Sequence, residues 1–222
     1  MNIVITGSSR GIGLELTKQA LEAGDHVLAV ARNPQASRGL QELKSKHANS
    51  LHWLAADVSD PETPQKISAS LPWPNVDILV NNAGVLPKQE RPSDFATSFQ
   101  INSVAPFLIT KALLPALKKS KTARVVQITS LMGSIEDCSS GGSYAYRSSK
   151  AALNMLNKCL AVENGWLTTI VMHPGWVKTD MGGQGAQVEV SDSAKGIWSV
   201  AKQITSQESG RFFDFRGQNL PW

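Results

Sequence analysis

The N-terminus of the chain places a short apolar run directly before a glycine-spaced turn and a helical pattern. Residues 2–13 read Asn-Ile-Val-Ile-Thr-Gly-Ser-Ser-Arg-Gly-Ile-Gly. The run at 3–5 predicts a strand, and Ile12, Leu16 and Ala20 follow it at helical spacing. Glycines in such a turn let a pyrophosphate approach the backbone, and a helix N-terminus offers free N–H groups and a positive dipole to an anion. This order predicts a dinucleotide site; the alternative is a tight turn that needs glycine for backbone reasons only.

Strand-like and helix-like segments alternate over the rest of the chain. The predicted strands cover residues 2–6, 26–31, 51–56, 76–80, 123–128, 167–172 and 211–214. The predicted helices cover residues 12–23, 36–46, 60–70, 95–118, 144–163 and 191–203. The strands are largely apolar, which is typical of a sheet covered by helices on both faces. The alternation predicts right-handed crossovers and an α/β fold with a doubly wound parallel sheet. A length of 222 residues fits one domain over 1–222.

Charge, cysteine content and hydropathy argue against several other classes of protein. The net charge of +4 comes from scattered basic residues, so no nucleic-acid surface is predicted. Cys138 and Cys159 are too few for a disulfide framework and lack metal-ligand spacing. No apolar run is long enough to span a membrane, and no signal peptide precedes the first predicted strand. We therefore expect a soluble, cytoplasmic protein with no metal site and no membrane or nucleic-acid partner.

Tyr146 and Lys150 lie four residues apart in the predicted helix 144–163, so their side chains share one face of it. A free tyrosine has a pKa of about 10 and is a weak acid–base catalyst at neutral pH. A nearby cation lowers that pKa toward the range in which general acid–base catalysis is efficient. The pair predicts an acid–base site, although alone it also fits an incidental surface pair. Tyr144 has no lysine four residues later, so we expect it to pack or to line a pocket wall.

Two segments rich in glycine and polar residues, 133–142 and 181–187, follow predicted strands. Ligands of open α/β sheets bind at the carboxyl ends of the strands, so both segments are candidate loops around a site. Trp176 lies just before the second segment and is either a hydrophobic wall for a substrate or a packing residue. His173 directly follows a predicted strand, and we interpret it as a structural residue.

The end of the second predicted strand favours one dinucleotide over the other. An NAD site usually has an acidic residue there, which binds the 2′-hydroxyl of the adenine ribose. This chain has Ala31 and then Arg32, and Arg10 lies within the glycine turn. Two guanidinium groups can make charge-assisted, bidentate bonds to a 2′-phosphate. The residues therefore predict NADP(H) in preference to NAD(H).

Together these segments resemble the short-chain dehydrogenase/reductase family over essentially the whole chain. The matching motifs are Thr6-Gly7-Ser8-Ser9-Arg10-Gly11-Ile12-Gly13, Asp57-Val58, Asn81-Asn82-Ala83-Gly84, Asn102, Ser130, Tyr146 with Lys150, and His173-Pro174-Gly175 with Thr179. The stretches Tyr-Ala-Tyr-Arg-Ser-Ser-Lys and His-Pro-Gly-Trp-Val-Lys-Thr-Asp-Met-Gly-Gly resemble the Sniffer and C-factor type of carbonyl reductase. The resemblance implies a Rossmann-type sheet of about seven strands in the order 3-2-1-4-5-6-7.

The resemblance also implies a role for each site residue. Tyr146 would protonate a carbonyl oxygen, and Lys150 would lower the pKa of Tyr146 and bind the nicotinamide ribose. Ser130 would donate a hydrogen bond to the substrate oxygen, and Asn102 would hold a water that connects Lys150 to solvent. The implied cofactor-binding residues are Gly7, Ser9, Arg10, Gly11, Ile12, Gly13, Arg32, Asp57, Val58, Asn82, Ala83, Gly84, Tyr146, Lys150, Pro174, Gly175, Val177 and Thr179.

The distance in sequence from the catalytic serine to Tyr146 is longer than in most family members, so Ser134 competes with Ser130 for that role. We prefer Ser130, because it directly follows an apolar strand and is therefore fixed at the edge of the sheet.

The implied function is NADPH-dependent reduction of a ketone or aldehyde. Alternatives are a 3-oxoacyl thioester reductase and a dinucleotide-dependent signalling protein with little turnover. A homodimer through the helices 95–118 and 144–163 is also expected. The sequence does not identify the substrate.

Overall fold

Seven strands form one parallel sheet in the computed structural model, which describes residues 1–222. The strands are β1 (Asn2–Thr6), β2 (His26–Ala31), β3 (Leu51–Ala55), β4 (Ile78–Asn81), β5 (Arg124–Ile128), β6 (Thr168–His173) and β7 (Phe212–Asp214). The α-helices are α1 (Gly11–Glu22), α2 (Arg38–Lys46), α3 (Thr63–Ala69), α4 (Pro92–Phe99), α5 (Ala105–Leu117), α6 (Tyr144–Glu163) and α7 (Val190–Gln203). The strand order β3-β2-β1-β4-β5-β6-β7 confirms the predicted doubly wound fold.

The sheet divides the apolar interior into two cores. Successive side chains of a strand point to opposite faces, and β1 follows this rule: Ile3 and Ile5 belong to one core and Val4 to the other. The first core packs α1, α2 and α7 on the sheet, and the second packs α3 and α5 on the opposite face. Because helices cover both faces, the strands are largely apolar, as the sequence indicated.

The predicted helix 95–118 is interrupted in the structure. It begins earlier, at Pro92, and a π-helical turn over Gln100–Val104 separates α4 from α5. Pro106 explains the position of the turn, because proline has no N–H to donate to the carbonyl of Asn102 four residues earlier. The helix instead closes one residue wider, with Ala105 N–H donating to the carbonyl of Gln100.

The other predicted elements are present with small shifts at their ends. The predicted helix 36–46 begins only at Arg38, because Ser37 caps it by accepting from Leu40 N–H at 3.3 Å. The predicted strand 76–80 is observed as Ile78–Asn81, since Val76 N–H donates to α5 rather than to a neighbouring strand. No α-helix combines the length and the apolar character needed to cross a bilayer.

Candidate active site

A cleft of about 570 Å³ opens at the carboxyl edge of the sheet, where β1 and β4 are neighbours and the strand order reverses. Open α/β sheets bind ligands at this switch point. All of the predicted cofactor residues except Gly175 and Val177 lie in its wall. Val177 is buried and pairs with Val188, and a Cβ on Gly175 would lie 2.9 Å from the ring of Phe215. The side chain of Val177 and the Cβ direction of Gly175 therefore point away from the cleft, and a contact between these residues and the cofactor stays a prediction.

The cleft also contains residues that the sequence analysis missed. They are Val30, Ala31, Ala56, Val85, Ile101, Ile128, Thr129, Lys178, Asp180 and Val190, whereas Met181 belongs to the predicted loop 181–187. Five of them (Val30, Ala31, Ala56, Ile128 and Thr129) lie at the end of a strand or directly after one, so the predicted strand ends carried a signal for these five. Ile101 had no such signal, because it lies in the π-helical turn that interrupts a helix predicted to be continuous.

The glycine turn is shaped for close approach of an anion. Gly7 and Gly11 have positive φ angles of 70° and 53°, in the left-handed region that favours glycine. A Cβ on Gly13 would lie 2.3 Å from the carbonyl oxygen of Gly7, so no larger residue fits there without a shift. The helix that follows, α1, has no side-chain cap and no acidic residue in its first turn. Its free N–H groups and positive dipole therefore remain available to a pyrophosphate.

Asn82 fixes the turn to β4. Its side-chain amide donates to the carbonyl oxygens of Thr6 at 2.9 Å and Gly7 at 3.2 Å. In return, the hydroxyl of Thr6 accepts from the backbone N–H groups of Asn82 and Ala83, both at 3.1 Å. This reciprocal pairing holds the two strand ends together, and it explains why an asparagine and a threonine occur at these positions.

The helix that carries Tyr146 and Lys150 is held by a contact from outside it. α6 begins directly after Ser143, which has a left-handed φ of 50° and whose side chain makes no capping hydrogen bond. The backbone N–H of Ala145 instead donates to the carboxylate of Glu90 at 3.1 Å. A negatively charged cap at a helix N-terminus is stabilising, so Glu90 fixes the start of the helix next to the cleft.

Tyr146 and Lys150 both face the cleft, as their spacing predicted. Lys150 is buried and donates from Nζ to the carbonyl oxygen of Ile128 at 2.8 Å. Its Nζ lies 5.8 Å from the centre of the Tyr146 ring. Only 9% of Tyr146 is exposed, whereas 62% of Tyr144 is exposed and that residue lies outside the cleft. The geometry therefore separates the two tyrosines clearly.

Ser130 and Ser134 differ in what their hydroxyls contact. Ser130 follows β5, and its side chain is close enough to Tyr146 to act on the phenol pKa, which it lowers against the larger raising effect of burial. Ser134 is also buried, but its hydroxyl donates to the carbonyl oxygen of Trp222 and accepts from Asp137 N–H, both at 3.0 Å. Ser134 thus holds the loop 133–142 together, and Ser130 is the serine that reaches the phenol.

The side chain of Asn102 is fully engaged in hydrogen bonds within the protein. Its Oδ1 accepts from Val85 N–H at 2.8 Å, and its Nδ2 donates to the Val85 carbonyl at 2.9 Å and to Ser149 Oγ at 3.0 Å. A Cβ on Gly84 would lie 3.2 Å from Asn102 Oδ1 and 3.7 Å from Lys150 Nζ. Asn102 therefore fixes the backbone after β4 close to Lys150.

Burial dominates the titration of both groups of the predicted pair. It raises the pKa of the Tyr146 phenol, and the hydrogen bond with Ser130 acts in the opposite direction. It lowers the pKa of Lys150 to about 7. Burial thus sets the direction of the Tyr146 pKa in this arrangement, and the lowering effect of Lys150 stays a prediction. The physical reason is that burial disfavours the charged form of each group, while the ammonium is directed to the carbonyl of Ile128.

The low pKa of Lys150 makes stability depend on pH. An unfolded lysine has a pKa of about 10.4, so between pH 7 and 10 the unfolded chain binds more protons than the folded one. The contribution of this group to the free energy of unfolding therefore rises with pH through that window, by at most about 1.4 kcal/mol per pH unit. The contribution is lost as the pH falls through the folded pKa of about 7. We expect Lys150→Met to stabilise the protein most near pH 7 and progressively less toward pH 10.

Urea unfolding of the wild type and of Lys150→Met at several pH values measures this difference. Lys158→Met on the exposed face of α6 is the matched control, and its effect should not vary with pH across the window. A stability difference for Lys150→Met that stays constant from pH 7 to 10 would contradict a folded pKa near 7.

The two predicted phosphate-binding arginines have different surroundings. Arg32 lines the cleft just beyond β2 and makes no hydrogen bond or ion pair within 4.0 Å. Hydrogen bonds from Ser59 lower the pKa of Asp57 most, and the charge of Arg32 adds a smaller lowering effect. Arg10 also lines the cleft, but its Nη1 forms an ion pair with Asp180 Oδ2 at 2.7 Å.

Trp176 and His173 lie near the cleft without lining it. Trp176 is 55% exposed, and its indole N–H donates to the carbonyl of Gly182 at 2.8 Å, so it braces the segment 181–187. Nδ1 of His173 is buried without a hydrogen-bond partner. Burial lowers the pKa of His173, and the charge of Asp214 opposes this effect. Neither residue belongs to the acid–base group.

Comparison with known proteins adds an independent line of observation. A family model described as short chain dehydrogenase matches residues 1–189. C-signal from Myxococcus xanthus is 42% identical over 156 residues, which are 66% of this chain and 93% of that protein. The structure of the carbonyl reductase Sniffer of D. melanogaster superposes with a TM-score of 0.95 at 32% identity, covering 100% of this chain and 99% of that one. The NADPH-bound carbonyl reductase from chicken fatty liver gives 0.93 at 33% identity, covering 100% and 98%.

Proposed function

The chain belongs to the short-chain dehydrogenase family, in which it is an oxidoreductase of the Sniffer and C-factor type, and we propose that it is an NADPH-dependent reductase of ketone or aldehyde carbonyls. One observation carries this function: a buried phenol, Tyr146, lies beside Ser130 on a cleft that continues to the glycine turn. The cleft offers an acid–base group at one end and an anion-binding helix N-terminus at the other.

In this mechanism the protein supplies the proton and stabilises the developing charge. A bound nicotinamide would supply the hydride. Tyr146 would donate its proton to the carbonyl oxygen, and Ser130 would donate a hydrogen bond to the same atom as negative charge develops there. Both hydroxyls are buried, so water competes little for the substrate oxygen. The raised pKa of Tyr146 keeps the proton on the phenol at neutral pH.

The proton lost from Tyr146 has to be replaced from solvent. Both polar atoms of the Asn102 side chain already bond to protein groups. Its main-chain carbonyl differs, because Pro106 lacks the N–H that would otherwise bond to it. We therefore assign the predicted water-holding role of Asn102 to this carbonyl oxygen, with Lys150 close by as the next proton carrier.

The NADPH preference is the finer part of this function, and Arg32 supports it most directly. Its guanidinium is free, so it can bind a 2′-phosphate without breaking another contact. Arg32→Asp should weaken NADPH binding by about 2–4 kcal/mol, because a charge-assisted contact is lost and a repulsive charge is introduced. NADH binding should change little.

Fluorescence titration of both reduced cofactors measures this effect. Arg38→Asp gives the same change in net charge on an exposed part of α2, and it should leave both dissociation constants near their wild-type values. Equal losses for NADPH and NADH in Arg32→Asp would mean that Arg32 does not contact the 2′-phosphate.

A panel of ketones and aldehydes with NADPH tests the proposed activity itself. Oxidation of NADPH that depends on the added carbonyl supports the reductase, and the preferred members of the panel identify the substrate class. The similarity to C-signal of Myxococcus xanthus favours a second candidate, a dinucleotide-dependent signalling protein. Tight NADPH binding without turnover over a broad panel would support that candidate instead.

Three further features belong to the proposed reductase and remain predictions. They are a single catalytic domain over 1–222, a cytoplasmic location, and a homodimer that uses α5 and α6.

A further inference from the structure

An ion pair bridges the mouth of the cleft. Nη1 of Arg10, in the glycine turn, lies 2.7 Å from Oδ2 of Asp180, which follows β6 by a few residues. Both residues line the cleft, and their side chains are 72% and 79% exposed. Exposed pairs of this kind contribute little stability and exchange readily. The pair is therefore a contact that another anion in the cleft can replace.

The position of Asp180 is set by the segment 176–188, which is bonded largely to itself. Lys178 N–H donates to the carbonyl of Val188 at 2.9 Å, and Val188 N–H donates to the carbonyl of Trp176 at 3.0 Å. The indole of Trp176 then holds the carbonyl of Gly182. These bonds close the segment into a compact loop with Asp180 near its tip.

The same loop packs directly on the glycine turn. A Cβ on Gly11 would lie 3.3 Å from Cγ2 of Thr179, the residue before Asp180. Packing of the Thr179 side chain on Gly11, as well as attraction between the charges, therefore places the carboxylate of Asp180 at the guanidinium of Arg10.

We propose that Asp180 is a specificity-determining residue, which holds Arg10 and competes with the 2′-phosphate of NADPH for it, an inference that rests on the proposed function. The guanidinium of Arg10 can then bind either the carboxylate of Asp180 or the 2′-phosphate of NADPH. A phosphate that takes Arg10 must displace the carboxylate, and the displaced charge then lies close to the phosphate and repels it. Asp180 therefore weakens the binding of NADPH and reduces its advantage over NADH.

The competition acts through Arg10 and not through Arg32. Arg32 has no ion-pair partner, and the nearby Asp57 is already held by the backbone N–H and hydroxyl of Ser59. Arg32 is therefore available to the phosphate at all times. Arg10 becomes available only when its ion pair with Asp180 breaks, so the 176–188 loop and the cofactor compete for this one side chain.

Asp180→Asn tests the inference, because it keeps the size of the side chain and one accepting oxygen and removes its charge. We expect the dissociation constant for NADPH to fall by about two- to fivefold, the range of an exposed ion pair, and that for NADH to change less. Glu42→Gln is the matched control, since it removes the carboxylate partner of another exposed arginine, Arg38, away from the cleft. It should leave both constants unchanged.

A double-mutant cycle tests the route of the effect. In an Arg10→Gln background, Asp180→Asn should change NADPH binding by clearly less than it does in the wild type, because the shared guanidinium is absent. An equal effect in both backgrounds would overturn the competition for Arg10.

The outcomes also separate this inference from the proposed function. A wild type that binds NADPH more tightly than NADH, with Asp180→Asn unchanged or weaker for NADPH, would overturn the role of Asp180 alone. A wild type without any preference for NADPH, in which Asp180→Asn creates none either, would overturn the cofactor proposal, and the role of Asp180 with it.

Discussion

Tyr146→Phe is expected to lower kcat for carbonyl reduction by about 10²–10⁴-fold, toward the upper end of that range. The variant keeps the ring and its packing in the cleft wall, so folding and NADPH binding should persist. It removes the only proton that Tyr146 can transfer and also the hydrogen bond from the phenol to the carbonyl oxygen. Two interactions that stabilise the transition state are lost together, which is the reason for the large expected decrease in kcat.

Tyr144→Phe is the control in the same stretch of α6. Tyr144 is 62% exposed and lies outside the cleft, so removing its hydroxyl should leave kcat near that of the wild type. Steady-state kinetics with one carbonyl from the panel measures both variants. A Tyr146→Phe enzyme that retains more than about a tenth of wild-type activity would contradict the general-acid role, because the expected factor is far larger.

The direction of the pH dependence follows from the raised pKa of Tyr146. Reduction needs the protonated phenol, so its rate should not be limited by loss of this proton at neutral pH. Oxidation of the alcohol needs the phenolate, so its rate should rise with pH as Tyr146 deprotonates. Between pH 6 and 10 the oxidation rate should therefore rise with pH, whereas loss of this proton should leave the reduction rate nearly constant.

The fold and most of the cleft were predictable because the sequence signals for them are local. Apolar strands alternate with amphipathic helices, and this pattern specified the sheet that the structure contains. The glycine turn is likewise a short motif whose geometry depends on its own backbone, as the left-handed angles of Gly7 and Gly11 illustrate. The predicted cofactor residues line the cleft because they follow the ends of neighbouring strands, which parallel topology brings to one edge.

The features that escaped prediction depend on residues far apart in the chain. Arg10 and Asp180 are separated by 170 positions, so neither reveals the other in the sequence. The pKa of Tyr146 depends on burial, which outweighs a charge four residues away on the same helix. The π-helical turn had a local cause in Pro106, but a proline near a helix start does not by itself specify a wider turn.

Ser130→Ala is expected to lower kcat by roughly 10²–10³-fold, the range for losing one hydrogen-bond donor to a developing oxyanion. The hydroxyl of Ser130 lies beside Tyr146, so its loss should act on the chemical step and leave NADPH affinity almost unchanged. It also accepts from Met132 N–H at 3.2 Å, which makes a small loss of local stability part of the expected result.

Ser134→Ala separates catalysis from structure at the neighbouring candidate. Its hydroxyl bonds to Trp222 and Asp137 within the loop, so the variant should lose stability while each folded molecule keeps near wild-type turnover. Thermal unfolding and active-site titration with NADPH provide the correction for the folded fraction. If Ser134→Ala loses turnover by 10²-fold or so after this correction and Ser130→Ala does not, the hydrogen bond to the substrate oxygen comes from Ser134, and the loop must rearrange when substrate binds.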